Sequence, residues 1–361
     1  MAKTNYKSDL IKISVDAMGG DYAPETTVEG AVLAAKEYNI ASVLVGKEPQ
    51  LEAELSKFSY SDLPIEIKHA PDIITMDESP LNIIRKKKEC SLRRAFDLVK
   101  SGEVQAVVTA GNSGAALTAS LFVLDRLKGI DRPAIATTMP TLKGFVVVID
   151  AGANNICKPF NLVQFAVMAS IYGKCLLGTP EPRIGVLSNG EEDSKGTKLT
   201  RETNALLKES SFHYIGYVEG KDVFKGDVDI VLCDGFVGNI LLKVTEGMAE
   251  SIIPAVTSEI QKSISSQLGF ILAKKSFENF KKWFDYSNYG GAPLLGVNGG
   301  VIISHGRSSA KAIKNAIRTA YDFVDRKVIE HLEENLKESY DLLTVGKKPR
   351  LFKKVLKKEP H

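Results

Sequence analysis

Cysteine is scarce in this 361-residue chain and never closely spaced: Cys90, Cys157, Cys175 and Cys233 stand far apart without a Cys-x-x-Cys pair. That spacing argues against a disulfide framework and against a thiolate metal site. The five histidines, at 69, 213, 305, 331 and 361, show no metal spacing either. His-Glu-x-x-His, the Gly-x-Ser-x-Gly elbow, the Walker A loop and Gly-x-Gly-x-x-Gly are all missing, so metal, covalent and nucleotide chemistry lose ground together. No metal or cofactor is expected. Long apolar runs are missing as well, and the start MAKTNYKSDL has no signal-peptide core, so the expectation is a reduced cytoplasmic protein that does not cross a membrane. Charge of one sign is not in excess, with 47 basic against 44 acidic residues, which gives no reason to invoke nucleic acid. There is no solenoid-length repeat and no low-complexity linker.

What is present is a recurring unit. Short β-branched runs end in glycine turns and lead into helical stretches: IKISV (11–15) before VDAMGGD, SVLVG (42–46), VQAVVTAG (104–111), FVVVIDAG (145–152), RIGVLSNG (183–190) and VDIVLCDG (228–235). Strands apolar on both faces that alternate with helices specify a doubly wound α/β fold, with a mainly parallel sheet covered on both sides. At this length one core stops growing, so residues 11–345 are expected as one unit of two intimately packed lobes. Residues 1–10 read as an extension. Residues 346–361 read as a basic tail, with seven Lys or Arg against one Glu. From 245 to 286 strand signals stop. Ile260, Ile264 and Leu268 repeat at helical spacing, Gly269 interrupts, and Phe277, Phe280, Trp283 and Phe284 mark a second apolar side among lysines. This predicts a protruding helical excursion, packed on the body or a second copy, or touching an anionic bilayer through Phe270, Ile271 and Leu272.

In such sheets ligands bind beyond the carboxyl ends of the strands, where the glycine turns fall. VVTAGNSGAAL (107–117) ends a strand and opens a helix, so Asn112, Ser113 and Gly114 either cap that helix or hold an anion such as phosphate. In CDGFVGNILLK (233–243), Asn239 either caps the next helix or offers its amide to a bound carbonyl or phosphate. Lys195, in the polar turn LSNGEEDSKGTKLT (187–200), is either a poised cation or a surface lysine. ISHGRSSAKA (303–312) adds His305, Arg307, Ser308 and Ser309 at a fourth helix start. Amides, asparagines and one or two cations suit direct transfer of a group to or from phosphate.

With these residues in view, the chain resembles PlsX, the phosphate acyltransferase family of bacterial phospholipid synthesis. The matching stretches are VDAMGGDYAPE (15–25), AVVTAGNSGAALTASLFVLDRLKGIDRPAIATTMPT (106–141), DAGANNICKP (150–159), IVLCDGFVGNILLKVTEG (230–247) and YSNYGGAPLLGVNG (286–299). Two departures stand out. Asp150-Ala151-Gly152-Ala153-Asn154 replaces the usual DLGAN or DVGAN, and Leu187-Ser188-Asn189-Gly190-Glu191-Glu192 replaces LNIGEE, moving an amide by one position.

The resemblance implies a fold related to isocitrate and isopropylmalate dehydrogenases and to phosphotransacetylase. It implies that acyl-[acyl carrier protein] and inorganic phosphate give acyl phosphate and free carrier protein, in a homodimer at the inner face of the cell membrane. The product would pass to a membrane glycerol-3-phosphate acyltransferase. The expected phosphate and substrate contacts are Gly19, Gly20, Asn112, Ser113, Gly114, Asn154 and His305. Asn239 and Lys195 are expected to stabilise the tetrahedral oxyanion. The basic run Arg85, Lys86, Lys87, Lys88 with Arg93 and Arg94 is expected to steer the acidic carrier protein. A short-chain phosphotransacylase acting on acyl-coenzyme A is the rival reading.

Overall fold

The computed structural model describes residues 11–284 and 290–338, so the N-terminal extension, the basic tail and the end of the excursion at 285–286 lie outside the described residues. One sheet contains β1 (Lys12–Asp16), β2 (Ala41–Gly46), β3 (Ile65–His69), β4 (Ala106–Thr109), β5 (Ala134–Thr141) and β6 (Gly144–Ile149). It continues with β7 (Ile184–Leu187), β8 (Tyr214–Val218), β9 (Ile230–Leu232), β10 (Ala292–Leu295) and β11 (Gly300–Ile303). The helices are α1 (Glu25–Tyr38), α2 (Glu48–Leu55), α3 (Asn82–Arg85), α4 (Ser91–Lys100), α5 (Ser113–Ala119) and α6 (Pro159–Tyr172). After them come α7 (Lys198–Lys208), α8 (Gly235–Gln261), α9 (Ile264–Phe284), α10 (Ala310–Asp325) and α11 (Val328–Glu338).

The strand order is β3-β2-β1-β4-β11-β10-β5-β6-β9-β7-β8. Pairing is parallel except at the centre, where β10 runs antiparallel to both β11 and β5, and β5 runs antiparallel to β6. The doubly wound expectation holds, and the two-residue alternation of the strands shows how. In the first half Ile13, Val15, Leu44, Ala106 and Val108 pack against α1 and α10, while their neighbours Val43, Val45 and Val107 pack against α4 and α5. In the second half Val147, Ile149, Ile184 and Ile230 face α6, and Val146, Val148 and Val231 face the opposite layer. Helix α6 is buried throughout from Phe160 to Tyr172, which is why its sequence is apolar on every side.

The antiparallel centre reverses strand direction between the halves. Residues that follow β4 and β11 in one half and β6 in the other nevertheless line a single cavity. The excursion is a helical hairpin, α8 and α9, that begins earlier than its periodicity suggested. Asp234 caps α8, its Oδ1 accepting from the Val237 N–H at 2.9 Å. Asn239, expected among the candidates for that cap, stands inside the helix. The expected break at Gly269 is also absent, because α9 runs through it at a glycine cost of about 1 kcal/mol. Phe270 is half-buried, its ring 5.2 Å from that of Phe277 two turns along the same helix, whereas Ile271 and Leu272 are exposed.

Candidate active site

Two buried aspartates fix the loops at the two strand ends. At the end of β1, Asp16 accepts from Ser91 Oγ (2.6 Å) and Thr109 Oγ1 (2.8 Å). Just after β6, Asp150 Oδ1 accepts from the N–H groups of Ile135 (3.0 Å) and Ala153 (3.1 Å), and Oδ2 from Asn154 N (2.7 Å) and Nδ2 (2.9 Å). Burial pushes both carboxyl pKa values above the usual carboxylate range, and these hydrogen bonds pull the other way.

Gly19 and Gly20 answer to the protein's own backbone. A Cβ at Gly19 would stand 2.4 Å from Asp16 Oδ2 and 2.9 Å from the Gly111 nitrogen. Gly20 holds φ +114° with the Gly306 carbonyl beside it. The N–H of Asp21 then donates to that carbonyl at 2.8 Å, which joins the loops after β1 and β11. Asn112 caps α5 by accepting from the Ala115 N–H at 3.0 Å, and its amide donates to the carbonyls of Thr75, Met76 and Glu78. Its side chain is thus committed to capping α5 and pinning the 75–78 segment. Asn154 likewise spends its amide on Asp150 and on the Pro133 carbonyl. Gly114 packs against Pro80.

Between these loops lies a cavity of about 950 Å³. Of the sequence-derived candidates, Ser113, Asn239, His305, Arg307 and Ser308 line it; Gly19, Gly20, Asn112, Gly114, Asn154, Lys195 and Ser309 stand outside its lining. One end is polar, with Ser113, Gly152, Asn239, Ser304, His305 and Arg307. Between β5 and α8 the lining mixes Thr137, Thr138, Lys243, Thr245 and Glu246 with an apolar set, Met139, Phe224, Leu241, Met248, Ala249 and Ile252. Asn239 lies against the loop after β6, its Oδ1 3.7 Å from where a Cβ on Gly152 would stand. Lys195 is exposed on the loop after β7, where Asn189 Oδ1 accepts from the Gly196 N–H at 2.9 Å and shapes the turn.

The cation that sequence reasoning passed over is Lys243. It lies one turn beyond Asn239 on α8 and lines the cavity, with Nζ 2.8 Å from both Glu246 Oε2 and His305 Nε2. The Arg307 N–H donates to His305 Nδ1 at 3.1 Å, so α8 of one half and the loop after β11 of the other are bridged across the cavity. The i, i+4 spacing from Asn239 was the available signal, once α8 is started at Gly235. The nearby thiols are poor nucleophiles: burial, then the charge of Asp150, pushes Cys157 up to about 12 and Cys233 well above the usual thiol range.

The candidate carrier-protein run is only partly free. Lys87 Nζ is spent on the Ile73 carbonyl (2.6 Å) and Glu78 (2.5 Å), Arg93 on Asp97 and Arg94 on Glu89. Arg85, Lys86 and Lys88 are exposed. The hydrogen bond from Lys87, then the Thr75 N–H, lowers the Glu78 pKa to about 2, so this carboxylate holds the 73–78 segment beside the cavity residue Met76.

The fold is that of the phosphotransacylases. A phosphotransacetylase from Streptococcus pyogenes superposes with a TM-score of 0.58 at 19% identity, covering 90% of this chain and 95% of that one. A branched-chain phosphotransacylase from Enterococcus faecalis gives 0.52 at 15%, covering 87% and 100%. The sequence is more specific. Residues 11–331 match the family described as fatty acid synthesis protein. Curated phosphate acyltransferases of Geotalea uraniireducens and Geobacter sulfurreducens are each 54% identical, over 92% and 91% of this chain and 96% and 95% of their own lengths. The chain belongs to this family, the phosphate acyltransferases of PlsX type, and is an enzyme that transfers an acyl group to phosphate.

Proposed function

We propose that the enzyme takes a long-chain acyl thioester of acyl carrier protein and inorganic phosphate, and releases acyl phosphate and the free carrier thiol. The observation that carries this reading is the apolar lining. The α8 residues that line the cavity span Asn239 to Ile252, a rise of about 20 Å, and the apolar ones among them, with Met139 and Phe224, offer far more apolar surface than an acetyl group needs. The thioester sits at the polar end with its carbonyl oxygen toward the Asn239 amide. Hydrogen phosphate, held by Ser113, Lys243 and Arg307, attacks the carbonyl carbon. A carbon–oxygen bond forms, the carbon–sulfur bond breaks, and the phosphate proton ends on the departing sulfur. Phosphate is already anionic near neutral pH, so no activating base is required, and the high thiol pKa values favour direct attack over an acyl-cysteine intermediate. In this reading Lys243 carries the cationic role inside the cavity. Lys195 is the comparison: it enters only from the exposed loop after β7.

The acidic carrier protein docks on Arg85, Lys86 and Lys88. Their reversal to Glu raises KM for acyl carrier protein and leaves that for phosphate unchanged; equal effects on both refute the docking site. Exposed Ile264, Ile271 and Leu272 on the hairpin support a contact with a second copy or a membrane surface, from which the product passes to a membrane glycerol-3-phosphate acyltransferase. Ile271→Glu with Leu272→Glu should abolish liposome flotation if lipid is the partner. The substrate assignment is tested by comparing long-chain acyl carrier protein with acyl-coenzyme A at equal concentration. A clear preference for coenzyme A refutes it and favours the rival phosphotransacylase.

A further inference from the structure

Four buried hydroxyls have no hydrogen-bond partner among the described residues: Ser42, Ser188, Ser304 and Tyr217. Of these only Ser304 lines the cavity. Its main chain is pinned, the N–H donating to the Thr109 carbonyl at 2.8 Å across to β4, and the residue is 7% exposed. Its Oγ rests in the space left by Gly291, where a Cβ would stand 2.9 Å from it and where φ is +79°. A buried hydroxyl without a protein partner is a standing cost, and in a native structure it points to a role beyond holding the fold. Rotation about χ1 moves a serine hydroxyl between staggered wells without moving the backbone. Ser113, Lys243 and Arg307 line the same cavity, and the Lys243 Nζ reaches His305, the residue that follows Ser304.

We propose that Ser304 is a phosphate-binding residue, its hydroxyl turning into the cavity to donate to a phosphate oxygen. This rests on the reading of the cavity as the phosphate site. The hydroxyl then has no protein partner in the free enzyme and gains a phosphate oxygen in the complex, so it adds affinity for phosphate at the expense of the unliganded fold. A serine that merely holds the structure behaves in the opposite way.

The test is Ser304→Ala in the full chain, with inorganic phosphate as the probe and two readouts. Thermal unfolding without phosphate should move up by a few degrees, because the unsatisfied group is gone. KM for phosphate should rise about tenfold, and the phosphate-dependent rise in Tm should shrink accordingly, because a hydrogen bond to a charged group is lost. KM for the acyl donor should not change. A Ser304→Ala protein that is less stable than wild type, or that fails to fold, overturns the proposal. So does one whose phosphate KM equals that of wild type. If wild type itself shows neither phosphate-dependent stabilisation nor acyl phosphate formation, the phosphate reading fails and Ser304 falls with it. If wild type shows both and the variant matches it, the Ser304 assignment alone fails.

Discussion

Adding one methyl group at Gly238 should damage the enzyme in a calculable way. A Cβ there would lie 1.9 Å from the Asp150 carbonyl oxygen and 2.9 Å from its carbon, both main-chain atoms that no side-chain rotation can move. To restore contact distance the first turn of α8 and the loop after β6 must separate by about 1 Å or more, a strain typical of overpacking at about 1–3 kcal/mol. Asn239 is the next residue and moves with that turn, and a 1 Å misplacement of a reacting group costs about 100-fold in rate. Gly247 is the internal control. It lies on the same helix with open space around the position of its Cβ, so Gly247→Ala should gain up to about 1 kcal/mol from helix propensity and keep its activity. Urea unfolding and initial rates of acyl phosphate formation measure both quantities. If Gly238→Ala matches Gly247→Ala in midpoint and rate, the account of how α8 is seated on the Asp150 loop is wrong.

Three further outcomes are expected. Asn239→Ala, folded by circular dichroism, should lose about 10²–10³-fold in kcat, as when one oxyanion donor is removed; wild-type turnover would remove Asn239 from the chemistry. Lys243→Ala should raise KM for phosphate more than Lys195→Ala does, and the reverse order would return the cationic role to the loop after β7. The pH dependence of the 73–78 segment follows from the sign of the Glu78 shift. Its folded pKa is lowered from 4.5 to about 2, so its contribution is complete above about 4.5 and is lost as pH falls toward 2. Hydrogen exchange should therefore show these amides protected at pH 7 and progressively less so below 4.5, whereas Glu78→Gln should expose them at both.

The sheet was legible because its strands are apolar on both faces and end in glycine. The six runs quoted from the sequence became β1, β2, β4, β6, β7 and β9. The antiparallel centre was not, since β10 is four residues long and its pairing with β5 is a contact across more than 150 positions. Gly19 and Gly20 were expected as phosphate contacts. What approaches, however, is the backbone at Gly111 and Gly306, which no local pattern reveals. Asn112 illustrates a choice that sequence left open. Its cap was one of two readings, and the carbonyls of Thr75, Met76 and Glu78 that consume its amide lie more than 30 residues away. Placing the start of α8 too late hid Lys243, although Asp234 was in place to cap the helix and the i, i+4 spacing from Asn239 was in plain view. The apolar lining is assembled from β5, α8 and Phe224, which lie far apart in sequence, so it came together only in three dimensions.

The central claim, direct attack of phosphate on the thioester, is tested most directly by following release of the carrier thiol from long-chain acyl carrier protein with and without phosphate. The account predicts no release beyond background hydrolysis until phosphate is added, then sustained turnover with one acyl phosphate formed for each thiol. A burst of one thiol per subunit without phosphate would reveal an acyl-enzyme and contradict it.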